Sequence, residues 1–215
     1  MLLLAVGAAL LAQGGLAEPL PTDLSDLPGM AEWLDVWAPP GKSLSSESFT
    51  FELSREVPQW KLWVVRESGA SYESLSTEEK RRWVLSPDSA FAVRIHPAVD
   101  SGGDPMLEPD SDVQLCDYSA GRQTIILYCG TTCDFEIAAW PDEETVLIGS
   151  GDWERLCPVI YRLDVHQQTL DVFSTQAGEK ETRPEIEWRL WEYRRDATPW
   201  IHWFPPTEPR LIDRH

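Results

Sequence analysis

Between Phe49 and Phe173 the apolar residues come in bursts of four to six, separated by Gly, Pro, Asp or Ser. Phe49-Thr-Phe-Glu-Leu alternates, as a half-buried strand does. Lys61-Leu-Trp-Val-Val is β-branched and aromatic. Similar runs follow from Phe91, Val113, Thr124, Phe135, Thr145, Val159 and Thr169, and a last one reads Ile186-Glu-Trp-Arg-Leu-Trp. Each predicts a short strand. No helical period long enough for a crossover helix separates them. A parallel α/β sheet is therefore excluded, and the pattern predicts a mainly β chain of antiparallel sheets.

Two short helices are expected beside the strands. One lies near residues 26–37, started by Ser25 or Asp26, with Trp33, Leu34 and Trp37 on one face. The other lies near 77–83, with Glu78 and Glu79 in its first turn. Residues 18–45, punctuated by five prolines, read as a lead-in. Residues 46–215 read as one β domain. Residues 2–12 form an apolar run too short for a bilayer span, and Gly15-Leu16-Ala17 supplies the small residues a signal peptidase reads. The run fits a secretory signal cleaved after Ala17, which places the protein in the periplasm or outside the cell. No Lys or Arg follows Met1, a departure from the usual signal that a displaced start would explain.

An internal echo runs through the middle of the chain. Trp83-Val-Leu-Ser-Pro-Asp-Ser-Ala-Phe-Ala-Val is matched by Ile137-Ala-Ala-Trp-Pro-Asp-Glu-Glu-Thr-Val-Leu. The first copy continues to a strand ending at Asp117, a turn and Gln123-Thr-Ile; the second continues to Asp164, a turn and Gln168-Thr-Leu. Residues 83–175 so resemble single blades of β-propellers of the WD-repeat and TolB type, with blade-like repeats at about 83–129 and 133–175. The WD dipeptide and the Gly-His marker are absent. The resemblance implies four-stranded meanders, in an incomplete propeller or a β-sandwich.

Four cysteines, Cys116, Cys129, Cys133 and Cys157, suit disulfides in an oxidising compartment. In an up-down meander Cys133 and Cys157 fall at the same end, which favours that pair; Cys129–Cys133 is the rival.

The formal charge is −18, and it is uneven. From Val99 to Glu154 thirteen acids face one base, Arg122. Such a surface repels nucleic acid and attracts a basic partner. Asp142, Glu143, Glu144, Asp152 and Glu154 flank turns of the second repeat and are the candidate partner-binding acids. Asp100, Asp104, Glu108, Asp110 and Asp112 are a weak calcium candidate, since their oxygens suit the ion but their spacing matches no EF-hand. No other metal and no cofactor is expected. No nucleophile elbow, zincin, Walker or dinucleotide motif occurs. Eleven tryptophans are many for this length, and Trp200 and Trp203 form an aromatic patch between prolines.

Together these features point to an exported acidic binding protein that takes a basic protein partner. Its architecture looks like that of periplasmic immunity or inhibitor proteins. A tryptophan-mediated binder of cell-wall sugars or small ligands is the second reading, and an exported hydrolase without a recognisable motif is the third.

Overall fold

The structure is a computed structural model, and it describes residues 18–57, 64–67, 83–96, 111–129, 133–175, 186, 189 and 190. The described chain is mainly β. Its strands are β1 (Thr50–Glu56), β2 (Val64–Glu67), β3 (Trp83–Leu85), β4 (Phe91–His96), β5 (Ser111–Asp117), β6 (Arg122–Cys129), β7 (Cys133–Ala139), β8 (Thr145–Asp152), β9 (Cys157–Asp164) and β10 (Thr169–Ser174). They form two antiparallel sheets, neither closed into a barrel. Sheet I has the order β2-β6-β5-β4-β3, and sheet II the order β1-β10-β9-β8-β7.

The sequence echo is thus a structural one. Strands β3–β6 and β7–β10 are two four-stranded meanders with the same connectivity. Each gains a fifth strand from upstream, β2 against β6 and β1 against β10. The hairpins are built by aspartates. Asp142 Oδ1 accepts the amides of Glu144 and Thr145, Asp152 Oδ1 those of Glu154 and Arg155, and Asp164 Oδ1 those of His166 and Gln167. Asp88 and Asp117 do the same in sheet I, for the amides of Ala90 and Ala120. A carboxylate oxygen that takes two amides replaces the pairing the reversing backbone loses. Gly121 and Gln168 then take left-handed backbone, φ 60° and 56°, at matching places in the two repeats.

Sheet II is the central layer. One face packs on sheet I through Phe135, Val146, Ile148, Leu163 and Leu170 against Phe91, Val93, Val113 and Leu127. The other face is covered by the lead-in and by helix α1 (Met30–Trp37). Met30, Trp33, Leu34 and Trp37 are all buried, which is the i, i+3, i+4, i+7 stripe of an amphipathic helix. The register of β7 with β8 shifts between Phe135 and Ile137, which marks Glu136 as the bulged residue. Its carboxylate accepts both helix indoles, Trp33 Nε1 at 2.7 Å and Trp37 Nε1 at 2.8 Å. The lead-in is therefore an integral layer of the core.

Four expectations change. Helix α1 starts at Met30 after Gly29, not at Ser25 or Asp26, which lie in a 3-10 turn over Leu24–Asp26 that precedes it. Cys129 and Cys133 are the pair at disulfide distance, Cα atoms 5.8 Å apart, while Cys116 and Cys157 are free. The favoured Cys133–Cys157 bridge fails because β8 lies between the two: Cys133 and Cys157 both pair with Asp152. Two strand spacings put them about 10 Å apart, beyond the roughly 7 Å a disulfide spans. Ile186, Arg189 and Leu190 are helical rather than extended, and Ile186 and Leu190 are buried at an i, i+4 interval. Trp83 opens β3 instead of ending a helix; the remainder of the helix expected at 77–83 lies outside the described residues.

Candidate functional site

An open groove of about 930 Å³ runs along the end of the sheets where β7 turns into β8. Pro87 and Pro141, the prolines of the two echoed Pro-Asp turns, both line it. The repeat places these turns side by side, one from each sheet. Around them stand Glu18, Asp142, Glu143, Glu144, Asp164 and Asp171.

One cation, Arg162 on β9, belongs to this groove, and it is already committed. Its Nη2 lies 2.9 Å from Asp171 Oδ2 on β10, the residue opposite it in the strand register. Its Nη1 donates to the carbonyl of Glu18 at 2.9 Å and lies 3.3 Å from the Glu18 carboxylate. Arg162 and Asp171 are mostly covered, with side chains 13% and 7% exposed. Removing both from water is offset by this ion pair and by the second contact of Arg162, to Glu18. The remaining acids of the rim have no cation among the groove residues. Their field is concentrated in a concave surface.

The five acids expected to form one partner-binding face divide into two sites. Asp142, Glu143 and Glu144 lie in the β7–β8 turn and line the groove. Asp152 and Glu154 lie in the β8–β9 turn, at the far end of β8. Seven strand steps separate the ends, about 23 Å. Asp142 and Asp152 are also turn builders, so in the groove Glu143 and Glu144 are the acids free to meet a partner.

The far end carries its own ion cluster. Arg155 Nε lies 2.7 Å from Asp152 Oδ2, and Arg155 Nη1 binds Glu52 of β1. Ser174 Oγ donates to the same Glu52 oxygen. These contacts, Arg155 first and Ser174 next, hold the Glu52 carboxyl below its usual range. Burial pushes Asp152 upward, but the Arg155 amide and guanidinium outweigh it and the net shift is downward.

Asp100, Asp104, Glu108 and Asp110 lie outside the described residues, as do Trp200 and Trp203. Asp112 is in β5, where its Oδ1 accepts from Gln114 Nε2 at 2.9 Å. Among the described residues no three His, Cys, Asp or Glu side chains gather as metal ligands, and no helix is long and apolar enough to cross a membrane. Arg162 and Glu18 were not picked out by sequence reasoning. Their one sequence signal was weak: an isolated base in a strand whose neighbour, β10, carries an inward Asp.

No protein-family model, no curated protein and no solved structure matches this chain, so its site is read from its own residues.

Proposed function

We propose that this is an exported acidic binding protein that receives a basic protein segment in the groove between the two Pro-Asp turns, in an inhibitor or immunity-type role in the periplasm. The observation that carries the reading is the composition of the groove, six acids and a single arginine that two of them already neutralise. Complementary charge of this kind speeds encounter and selects the partner by sign. The short apolar N-terminal run ending in Gly15-Leu16-Ala17 supports export. Two sheets held together by buried apolar residues, with Asp142, Glu143 and Glu144 carried on a tight turn, suit a rigid surface that binds without rearranging.

The test uses a fluorescein-labelled Lys-Ala decapeptide as a generic basic segment, followed by anisotropy at low and high salt. The unmodified protein should bind it at low salt and lose affinity as salt rises. Glu143→Lys with Glu144→Lys should weaken binding at least tenfold at low salt, because each swap replaces an unpaired rim acid. Glu154→Lys, at the other end of the molecule, should have a much smaller effect. Equal losses from both variants would show that only net charge matters and would remove the groove from the proposal.

A further inference from the structure

A second pocket, of about 290 Å³, lies on the sheet I side of sheet II towards the open β1 edge. Leu53, Val159 and Val172 give it an apolar wall. Three hydrogen-bonding groups converge on that wall without partners among the described residues. Ser150 Oγ is fully buried and makes no hydrogen bond. Tyr161 makes only a ring contact, edge-on to Phe135. Arg55 has no ion pair and is exposed at the rim.

The acids do not cancel this set. Glu52 and Asp152 are both engaged by Arg155, so the pocket's free charges reduce to one cation, Arg55, and one anion, Glu154. A buried hydroxyl without a partner carries the full cost of desolvation, so native structures rarely keep one. A ligand that satisfies it together with a phenol, a guanidinium and a carboxylate must both donate and accept hydrogen bonds. A neutral ligand fits best: a protein of charge −18 disfavours an anion, and the two arginines of the lining, Arg55 and Arg155, answer all but one of its three acids, so the pocket offers a cation a surplus of only one. The volume sits at the lower bound of small-molecule sites, roughly 300 Å³.

We infer that this pocket is a binding site for a neutral, hydroxyl-rich ligand of one or two sugar rings. Arg55 and Glu154 clamp its hydroxyls at the rim, Tyr161 and Ser150 meet them at the floor, and the ring face lies on Leu53, Val159 and Val172. The site shares no residue with the acidic groove, so the two readings stand or fall separately.

The experiment is titration of the full chain by calorimetry with cellobiose, lactose and chitobiose, and with benzoate as an anionic control. At least one disaccharide should bind saturably in the millimolar range. Arg55→Ala, Tyr161→Phe and Glu154→Gln should each weaken it by roughly three- to tenfold, the effect of one lost hydrogen bond. Glu154 lies on a turn, so its variant keeps the fold and guards against misreading an unfolded protein. Ser150→Ala gives a signature of opposite signs: the free protein should melt higher, since an orphan hydroxyl is gone, while sugar affinity falls. The inference is overturned if none of the three disaccharides binds, if binding survives all four substitutions, or if benzoate binds more tightly than the sugars.

Discussion

Glycine at 151 is there because Trp37 is. A Cβ built on Gly151 would come 2.6 Å from Trp37 Cη2, and one on Gly149 would come 2.8 Å from Trp33 Cε2. Both glycines lie on β8, on the face that α1 covers. The rings that fill these hollows are anchored at the other end by Glu136. The indoles are large rigid bodies held at two points, so neither can retreat by several tenths of an ångström. Gly151→Ala should therefore cost about 1–3 kcal/mol, the usual range for overpacking. Urea unfolding followed by tryptophan fluorescence measures it. The paired change Gly151→Ala with Trp37→Leu should recover part of the loss, and no recovery would refute the ring contact as the cause.

At the scale of elements, the Cys129–Cys133 bridge joins the end of β6 in sheet I to the start of β7 in sheet II. It fixes the junction of the two repeats. The loop it closes is short, so its chain-entropy contribution is about 2 kcal/mol. Cys129→Ser with Cys133→Ser should lose about that much, and reducing the unmodified protein should lose the same. The other two thiols are protected differently from ordinary surface cysteines. Burial pushes Cys157 up to about 11 and also raises Cys116. The thiolate is the reactive form, so both should react slowly with iodoacetamide in the folded protein near neutral pH. Denaturation without reductant should expose two reactive thiols, and mass spectrometry counts them. Four labelled cysteines would show that the bridge is absent.

At the scale of the whole molecule, the charge of −18 and the turn aspartates act in opposite directions as the pH falls. Partial neutralisation relieves self-repulsion first. Below that, the carboxyls that the fold uses begin to matter. Glu52, Asp88, Asp117 and Asp152 are all held below their ordinary values, 4.5 for Glu and 3.8 for Asp. Asp88 owes its shift to the Ser86 hydroxyl and the Ala90 amide. For Asp117, burial raises the value but the Ser119 hydroxyl, the Ala120 amide and Arg122 prevail. A depressed carboxyl stabilises the fold above its unfolded value and loses that contribution as the pH falls through its folded value. The melting temperature should therefore hold from neutral pH to about 5 and fall below about 4.5. Glu52→Gln should make the acid limb shallower, because that group no longer takes up a proton on unfolding. An unchanged limb would mean that the Glu52–Arg155 contact contributes nothing in solution.

The sequence by itself determined the strands and their turns. Eight of the ten strands open at or within two residues of the apolar bursts that predict them, from β1 at Thr50 to β10 at Thr169. Alternation, β-branching and Asp or Gly punctuation are local signals, and these strands obey local rules. The echo around Trp83 and Ile137 was legible for the same reason: a repeated meander repeats its turn chemistry. Helix α1 was legible from the spacing of Trp33, Leu34 and Trp37. The tertiary structure decided what depends on lateral neighbours. No local pattern says that β8 lies between Cys133 and Cys157, so the bridge to Cys129 had to come from the sheet order. None says that Asp142–Glu144 and Asp152–Glu154 sit at opposite ends of one strand, since ten residues can form a tight patch or span a sheet. Ile186 and Leu190 fit either period, and packing chose the helix. The two pockets are the furthest from the sequence. Arg162 meets Glu18 only because the lead-in packs on sheet II, and Arg55 shares a pocket with Ser150 and Tyr161 only because strands distant along the chain lie together in that sheet.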